Sequence, residues 1–212
     1  MNWVFRTFSS PIGKKLLMAL TGLSFIGFLT IHLIGNFFIF AGKESFNSYV
    51  EHLHQLGVLI NIAELGLLIL AAVHILTAIY LYFENLAARP IKYVMKQNAG
   101  GRTLASSIMP YTGAYILFFV IVHLINFRFI DQGSRTMFDV VSQALANPFY
   151  ALFYTLSVVV VAFHVSHGFW SAFQTLGLFH PKYTPAINRL GLVFALVVGI
   201  GFGLIPIYKL VV

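Results

Sequence analysis

The sequence predicts an all-α membrane protein, a bundle of five transmembrane helices. Three observations lead to this prediction: 59% of the 212 residues are hydrophobic, only 9% are charged, and the mean hydropathy is +0.87. A soluble domain is about one quarter charged, and a soluble fold of this composition would lack the polar surface to cover itself. Because no loop is long enough to fold alone, we expect residues 1–212 to form a single transmembrane domain.

Five apolar stretches are each long enough to cross a bilayer, which takes roughly 20 residues. The predicted helices cover about 13–40, 56–86, 109–129, 149–178 and 186–210. The first stretch is longer than the apolar core of a signal peptide and lacks a small-residue cleavage site, so we expect it to be retained. Residues 1–12 are expected to be an interfacial segment, and the loops at 41–55 and 130–148 to hold short interfacial helices.

The basic residues predict the orientation of the bundle. Four of the 13 Lys and Arg residues fall on one side of the predicted bundle, and the other nine fall on the opposite side. The positive-inside rule makes the nine-residue side cytoplasmic, which places the N-terminus inside and the C-terminus outside. The basic inner loop at 87–108 either docks a soluble partner, binds anionic lipid headgroups, or serves only to set the topology.

Composition also excludes several classes of function. The net charge of +7 does not indicate nucleic-acid binding, because the basic residues lie in short loops between apolar stretches. The chain has no cysteine, which excludes Cys-ligated iron–sulfur clusters, c-type haem attachment and thiol catalysis. A redox cofactor in this chain would therefore have to be held by histidine.

Ionisable residues inside a membrane are costly and therefore point to function. Five histidines fall inside the predicted helices: His32, His74, His123, His164 and His167. At a rise of about 1.5 Å per residue, His32 and His123 lie about 12 and 9 Å from the outer ends of their helices. His74, His164 and His167 lie about 18, 21 and 16 Å from the inner ends of theirs. Helices one and three thus offer histidines at one level, and helices two and four at a second, more cytoplasmic level.

This arrangement favours haem as the ligand of the histidines. His74 follows His32 by 42 residues and His164 follows His123 by 41, so two helical hairpins repeat one pattern. Facing imidazoles from two helices provide the two axial ligands of a haem iron, and two levels give two stacked haems. The alternative, a proton or ion pathway, usually needs acidic residues within the membrane. Only Glu64 and Glu84, near the two ends of helix two, fit that description.

Four segments give the chain a family resemblance. They are SSPIGKKLLMALTGL with HLIGN (9–23 and 32–36), FNSYVEHL (46–53), His74 with ENLAARPIKY (84–93), and FHVSHGFWSAFQTLG (163–177), with His123 between the last two. These segments resemble the single-chain, five-helix, di-haem cytochrome b subunit of succinate dehydrogenases and fumarate reductases, the succinate:quinone oxidoreductases. The resemblance spans nearly the whole chain, and its first and fourth segments are the most specific.

The resemblance implies one ligand on each of the first four helices. His32 and His123 would hold the iron of an outer haem b, and His74 and His164 that of an inner haem b. His164 fits better than His167 because it stands four residues before Gly168-Phe169. His167 would then hydrogen-bond a propionate or the quinone.

The resemblance also implies the partners. The chain would anchor a flavoprotein and an iron–sulfur protein on the cytoplasmic side of the bacterial inner membrane. It would pass electrons between the iron–sulfur protein and a membrane quinone, typically menaquinone, in succinate oxidation or fumarate reduction. Such complexes often form dimers of heterotrimers. One departure is Ala162, where some members carry a glutamate proposed as a proton route, so that route is not expected here.

Several assignments stay open at this point. Glu64 is the candidate proton acceptor for the quinone, with Asn61 and His54 nearby; it is otherwise a polar group at a helix end. Candidate propionate partners are Lys14, Lys15, Arg89 and Arg102 for the inner haem, and Asn36, Asn126 and Arg128 for the outer. The competing functions are a cytochrome b subunit of a formate dehydrogenase or hydrogenase, and a haem-free transporter.

Overall fold

The computed structural model describes residues 3–88 and 104–212, which form helices and their connections. In chain order the helices are α1 (Trp3–Ser9), α2 (Pro11–Phe37), α3 (Lys43–Gln55), α4 (Val58–Ala87), α5 (Leu104–Phe127), α6 (Met137–Leu145), α7 (Pro148–Thr175) and α8 (Thr184–Val211). A short 3₁₀ turn, Phe38–Ala41, extends α2.

Five of the described helices, α2, α4, α5, α7 and α8, are long and apolar enough to cross a membrane. This confirms the predicted all-α fold with five spanning helices. The short helices expected in the loops are also present, as α3 and α6. The basic loop, with Arg89 and Arg102, lies outside the described residues, and the cytoplasmic position of the N-terminus stays a prediction.

Local sequence explains where these helices begin. The side chain of Ser10 accepts a hydrogen bond from the Gly13 amide at 3.1 Å, and Pro11 occupies the first turn of α2. Asn147 caps α7 in the same way, accepting from the Phe149 amide at 2.9 Å, with Pro148 following it. A capping side chain satisfies an otherwise unpaired amide, and proline at the first position loses no helical hydrogen bond.

The spanning helices pack unevenly. Helix α7 packs most extensively against α8 and also contacts α2 and α5, so it lies at the centre of the bundle. Among the described helices, α4 packs closely only against α2, and none of its residues is buried. We call the end of the bundle that carries α3 and α6 the cap end, and the opposite end, where α2 begins, the α1 end.

Polar contacts join α3 and α6 into one cap. Lys43 forms an ion pair with Asp139 at 2.8 Å, and the Asn47 side chain accepts a hydrogen bond from the Phe138 amide at 3.1 Å. Asp139 also completes a capping box with Thr136 at the start of α6. Hydrogen bonds from Lys43 and Thr136 lower the pKa of Asp139 to about 2. The carboxylate is therefore ionised, and holds both helices, at any physiological pH.

A buried apolar cluster joins this cap to the bundle. It includes Ile39, Phe46, Val141, Leu145, Tyr154 and Ile205, contributed by the 3₁₀ turn, both cap helices, α7 and α8. The backbone of Gly35 in α2 lies directly against the ring of Tyr49 in α3, with no room for a side chain between them. Tyr49 also stacks on Phe38 at 5.1 Å between ring centroids. The cap is thus packed directly onto the end of α2.

Candidate functional site

The cap-end histidine pair consists of His32 on α2 and His123 on α5. Their ring centroids are 5.9 Å apart, with an angle of 84° between the ring planes. An imidazole nitrogen binds a metal at about 2 Å, so two imidazoles on opposite sides of one ion have centroids about 6 Å apart. The separation of the two rings therefore suits axial ligation of one iron. Helices α2 and α5 are not a closely packed pair among the described helices, so the two rings meet between separated backbones.

Aromatic side chains surround this pair. Phe28 stacks on His32 at 5.1 Å and Phe202 of α8 lies 5.5 Å from it. Phe127 and Tyr154 lie 5.3 and 6.1 Å from His123. Hydrogen bonding to this pair is weaker: the side-chain nitrogen of Asn36 lies 3.5 Å from each ring nitrogen of His32. The Nδ1 atom of His123 is buried without a hydrogen-bond partner in the described part of the chain.

The second pair, nearer the α1 end, consists of His74 on α4 and His164 on α7. Each imidazole is held by a buried threonine of the neighbouring helix. The Oγ1 atom of Thr21 on α2 lies 2.9 Å from Nδ1 of His74. The Oγ1 atom of Thr112 on α5 lies 3.0 Å from Nδ1 of His164. Helices α4 and α7, which carry the two histidines, are not a closely packed pair among the described helices.

A glycine follows each threonine and makes room for the same imidazole. A Cβ atom on Gly22 would lie 3.6 Å from Cε1 of His74, and one on Gly113 would lie 3.6 Å from Cε1 of His164. The two glycines belong to a motif that the sequence repeats: a Thr-Gly step stands eleven residues before His32 and again eleven residues before His123.

The sequence analysis missed Thr21 and Thr112. The signal that could have found them is the internal repeat, because the two hairpins match in the Thr-Gly step as well as in the histidines. The repeat predicts equivalent positions, but it does not show that each hydroxyl reaches the histidine of a neighbouring helix.

These features fit haem better than a bare metal ion. The described residues contain no cluster of three or more His, Cys, Asp or Glu side chains that could hold such an ion. A haem needs only two protein ligands, because its macrocycle supplies the others. Both pairs provide two imidazoles from helices whose backbones are held apart, and His123 has an unpartnered ring nitrogen.

His167 lies one turn beyond His164 and has a different environment. Its ring lies edge-on to Trp170 at 5.2 Å, and its Nδ1 atom is buried without a hydrogen-bond partner among the described residues. Thr112 contacts His164 instead. The structure therefore distinguishes the two histidines by their partners, and the choice between them as the ligand stays a prediction.

The carboxylate of Glu64 forms a bidentate ion pair with Arg128. The Nε–Oε1 and Nη2–Oε2 distances are 2.8 and 2.9 Å, and both side chains are exposed. The pair joins α4 to the end of α5 at the cap end. A role for Glu64 in quinone chemistry stays a prediction, and the same pair engages Arg128, a candidate propionate partner.

The other propionate candidates have varied environments. Lys14 forms an ion pair with Glu84 at 3.6 Å and lies 3.6 Å above the ring centroid of Tyr80, whereas Lys15 is exposed. The Asn36 amide donates to the His32 carbonyl at 2.8 Å, and that of Asn126 donates to the Tyr154 hydroxyl at 3.1 Å. Arg89 and Arg102 lie outside the described residues.

Comparison with known proteins supports the motifs. The chain is 27% identical over 176 residues to the succinate dehydrogenase cytochrome b558 subunit of Bacillus subtilis, and the alignment covers 81% of each chain. This similarity confirms the resemblance to cytochrome b subunits that the sequence motifs indicated. The chain matches no protein-family description and no solved structure.

Proposed function

We propose that this chain is the cytochrome b membrane subunit of a succinate dehydrogenase, a succinate:quinone oxidoreductase. It would anchor the complex and carry electrons through two haems b in respiratory electron transport. The observation that carries the proposal is the contact between the His32 and His123 rings across α2 and α5. It is supported by His74 and His164, which lie on α4 and α7 nearer the α1 end and each contact a buried threonine. The similarity to the Bacillus subtilis subunit supports the identity of the complex.

Each pair would hold one haem: His32 with His123, and His74 with His164. Haem supplies a one-electron carrier when it is bound. The protein surrounds the cap-end pair with aromatic rings and orients the imidazoles of the second pair through hydrogen bonds with buried threonines.

The proposed partners follow from the same assignment. A flavoprotein and an iron–sulfur protein would dock on the cytoplasmic face of the bacterial inner membrane, and the quinone, menaquinone in our proposal, would react within the membrane. The assembly would be a dimer of heterotrimers. Dicarboxylate chemistry would take place in the flavoprotein.

For quinone chemistry we propose Glu64 as the proton acceptor. Its exposure at the cap end favours this role, because a proton acceptor needs access to both quinone and water. Its ion pair with Arg128 would have to open when the quinone binds.

The test is a reduced-minus-oxidised optical spectrum of the purified complex, with a pyridine haemochrome count per copy of this chain. We expect about two b-type haems, both reducible by succinate or by a menaquinol analogue. Replacing His32 or His123 with alanine should remove one haem, and replacing His74 or His164 the other. His52→Ala is the matched control, since His52 is exposed on α3.

A colourless preparation that cannot be reconstituted with haem would overturn the proposal and favour a transporter. Copurification with formate dehydrogenase or hydrogenase subunits would overturn the choice of partner while leaving the haems in place. If His167→Ala removed a haem and His164→Ala did not, the fourth ligand would be His167.

A further inference from the structure

We propose that Thr21 and Thr112 are positioning residues that fix the tautomer of His74 and His164 and thereby lower the redox potential of the haem these histidines hold. The proposal rests on the proposed function, because it concerns the ligands of one of the two haems. It adds two residues and a stated direction of tuning to that site.

The hydrogen-bond geometry of Thr21 determines which group donates. Its Oγ1 atom lies 2.7 Å from the carbonyl oxygen of Leu17 in its own helix. Two oxygens this close require a hydrogen between them, and a carbonyl can only accept. The single hydroxyl hydrogen is therefore used, and the contact with His74 at 2.9 Å has to be a donation from the ring nitrogen.

The same reasoning applies to Thr112. Its Oγ1 atom lies 3.2 and 3.1 Å from the carbonyl oxygens of Ile108 and Met109, so its hydrogen also points back into its own helix. The lone pairs then face Nδ1 of His164 at 3.0 Å. Both imidazoles consequently carry their hydrogen on Nδ1, which leaves Nε2 unprotonated as the atom that binds iron.

Burial makes these hydrogen bonds effective. Thr21 and Thr112 are only 5% and 8% exposed. A hydrogen bond in a low-dielectric interior is stronger than one that competes with water. Donation from Nδ1 makes the imidazole a stronger electron donor at Nε2, which stabilises the oxidised iron and lowers the potential.

The chain contains matched controls for this effect. Thr30 on α2 and Thr155 on α7 also donate to the carbonyl four residues before them, at 2.9 and 2.8 Å. No hydrogen bond to a histidine is described for either residue. Valine at either position therefore removes a threonine hydroxyl from a spanning helix without removing a hydrogen bond to a histidine.

The experiment is an equilibrium redox titration of both haems in the intact membrane complex, followed optically and by low-temperature EPR. The variants are Thr21→Val, Thr112→Val, Thr21→Ser and Thr112→Ser, with Thr30→Val and Thr155→Val as controls. We expect each threonine-to-valine change at positions 21 and 112 to shift the midpoint potential of one haem to a more positive value. It should be the same haem in both cases, the one lost in His74→Ala, and the EPR signal of that haem should change too.

The serine variants keep the hydroxyl and should titrate like the wild type, as should the two controls and the other haem. If Thr21→Val and Thr112→Val keep both haems and show the same midpoint potentials as the wild type, the inference is overturned and the proposed function still stands. Equal shifts of both haems would also overturn it, because they indicate a general structural effect. If the valine variants lose the haem, the serine variants decide between the outcomes. Serine variants that keep the haem at the wild-type midpoint potential support the inference, and serine variants that also lose the haem overturn it.

Discussion

The two histidine pairs come from one repeated helical hairpin pattern, but they are held by different means. His74 and His164 each contact a buried threonine hydroxyl of a neighbouring helix. His32 and His123 lie instead among aromatic rings, and Nδ1 of His123 has no partner among the described residues.

This difference teaches that one repeated helical pattern can hold its histidine side chains in two ways. A hydrogen bond fixes both the rotation and the tautomer of an imidazole, whereas packing fixes its position and leaves the second ring nitrogen free. We therefore expect the cap-end pair to be sensitive to side-chain volume and the other pair to be sensitive to single hydroxyl groups.

The largest expected effect is that of Tyr154→Ala. Tyr154 is 6% exposed and packs against Phe119, Phe127 and His123, so its removal leaves a cavity beside the cap-end pair. We expect a loss of about 3–5 kcal/mol in the free energy of unfolding, and selective loss of the haem that we propose for His32 and His123. Denaturation in detergent micelles and the haem spectrum measure the two effects.

Tyr154→Phe is the control for that change. It keeps the ring and loses only the hydrogen bond from Asn126, at a cost of about 1 kcal/mol. If the phenylalanine variant were as unstable as the alanine variant, the cap-end pair would depend on a hydrogen bond after all, and the contrast between the pairs would fail.

A smaller effect is expected for Gly35→Ala. The new methyl group would occupy the position of the Tyr49 ring, which has to move and displace α3 from the end of α2. We expect a destabilisation of about 1–3 kcal/mol, measured as a lower thermal unfolding midpoint. Gly27→Ala on the same helix is the control, since nothing lies within 4 Å of its added Cβ. Equal midpoints for the two variants would contradict this account.

Asp139→Asn tests the cap through its pH dependence. The pKa of Asp139 is lowered from 3.8 to about 2, so the ionised carboxylate stabilises the cap fully above its ordinary pKa. This contribution is lost as the pH falls through the interval between those two values. We expect the thermal midpoint of the variant to lie below that of the wild type at neutral pH and to approach it near pH 2. A constant difference across that range would show that ionisation of Asp139 is irrelevant.

The smallest effect on stability is expected for Glu64→Gln, because both partners of its ion pair are about half exposed. Such pairs contribute up to about 1 kcal/mol. If Glu64 accepts the quinone proton, this variant loses quinone turnover with both haems retained, whereas Arg128→Gln retains turnover. Equal quinone turnover in both variants would show that Glu64 contributes only through its ion pair with Arg128. Quinone reduction assays alongside unfolding midpoints separate these outcomes.

The sequence predicted the five helices and the two histidine levels, because both follow from apolar length and a constant rise per residue. It did not predict the role of Thr21 or Thr112. A helical threonine ordinarily donates to its own helix, as Thr30 does, so contact with another helix depends on how the helices are rotated and packed. The pairing of Glu64 with Arg128 was missed for a similar reason, since it depends on the relative positions of α4 and α5.

The loose packing of α4 has a consequence for biogenesis. α4 contacts α2 closely and is attached by ion pairs near its two ends, Glu84 to Lys14 of α2 and Glu64 to Arg128 just beyond α5. During synthesis α2 and α4 leave the ribosome before α5, so the first ion pair can form while the second still lacks its arginine. The Lys14–Glu84 pair thus lies within the first hairpin, whereas the Glu64–Arg128 pair can form only after the second hairpin has begun.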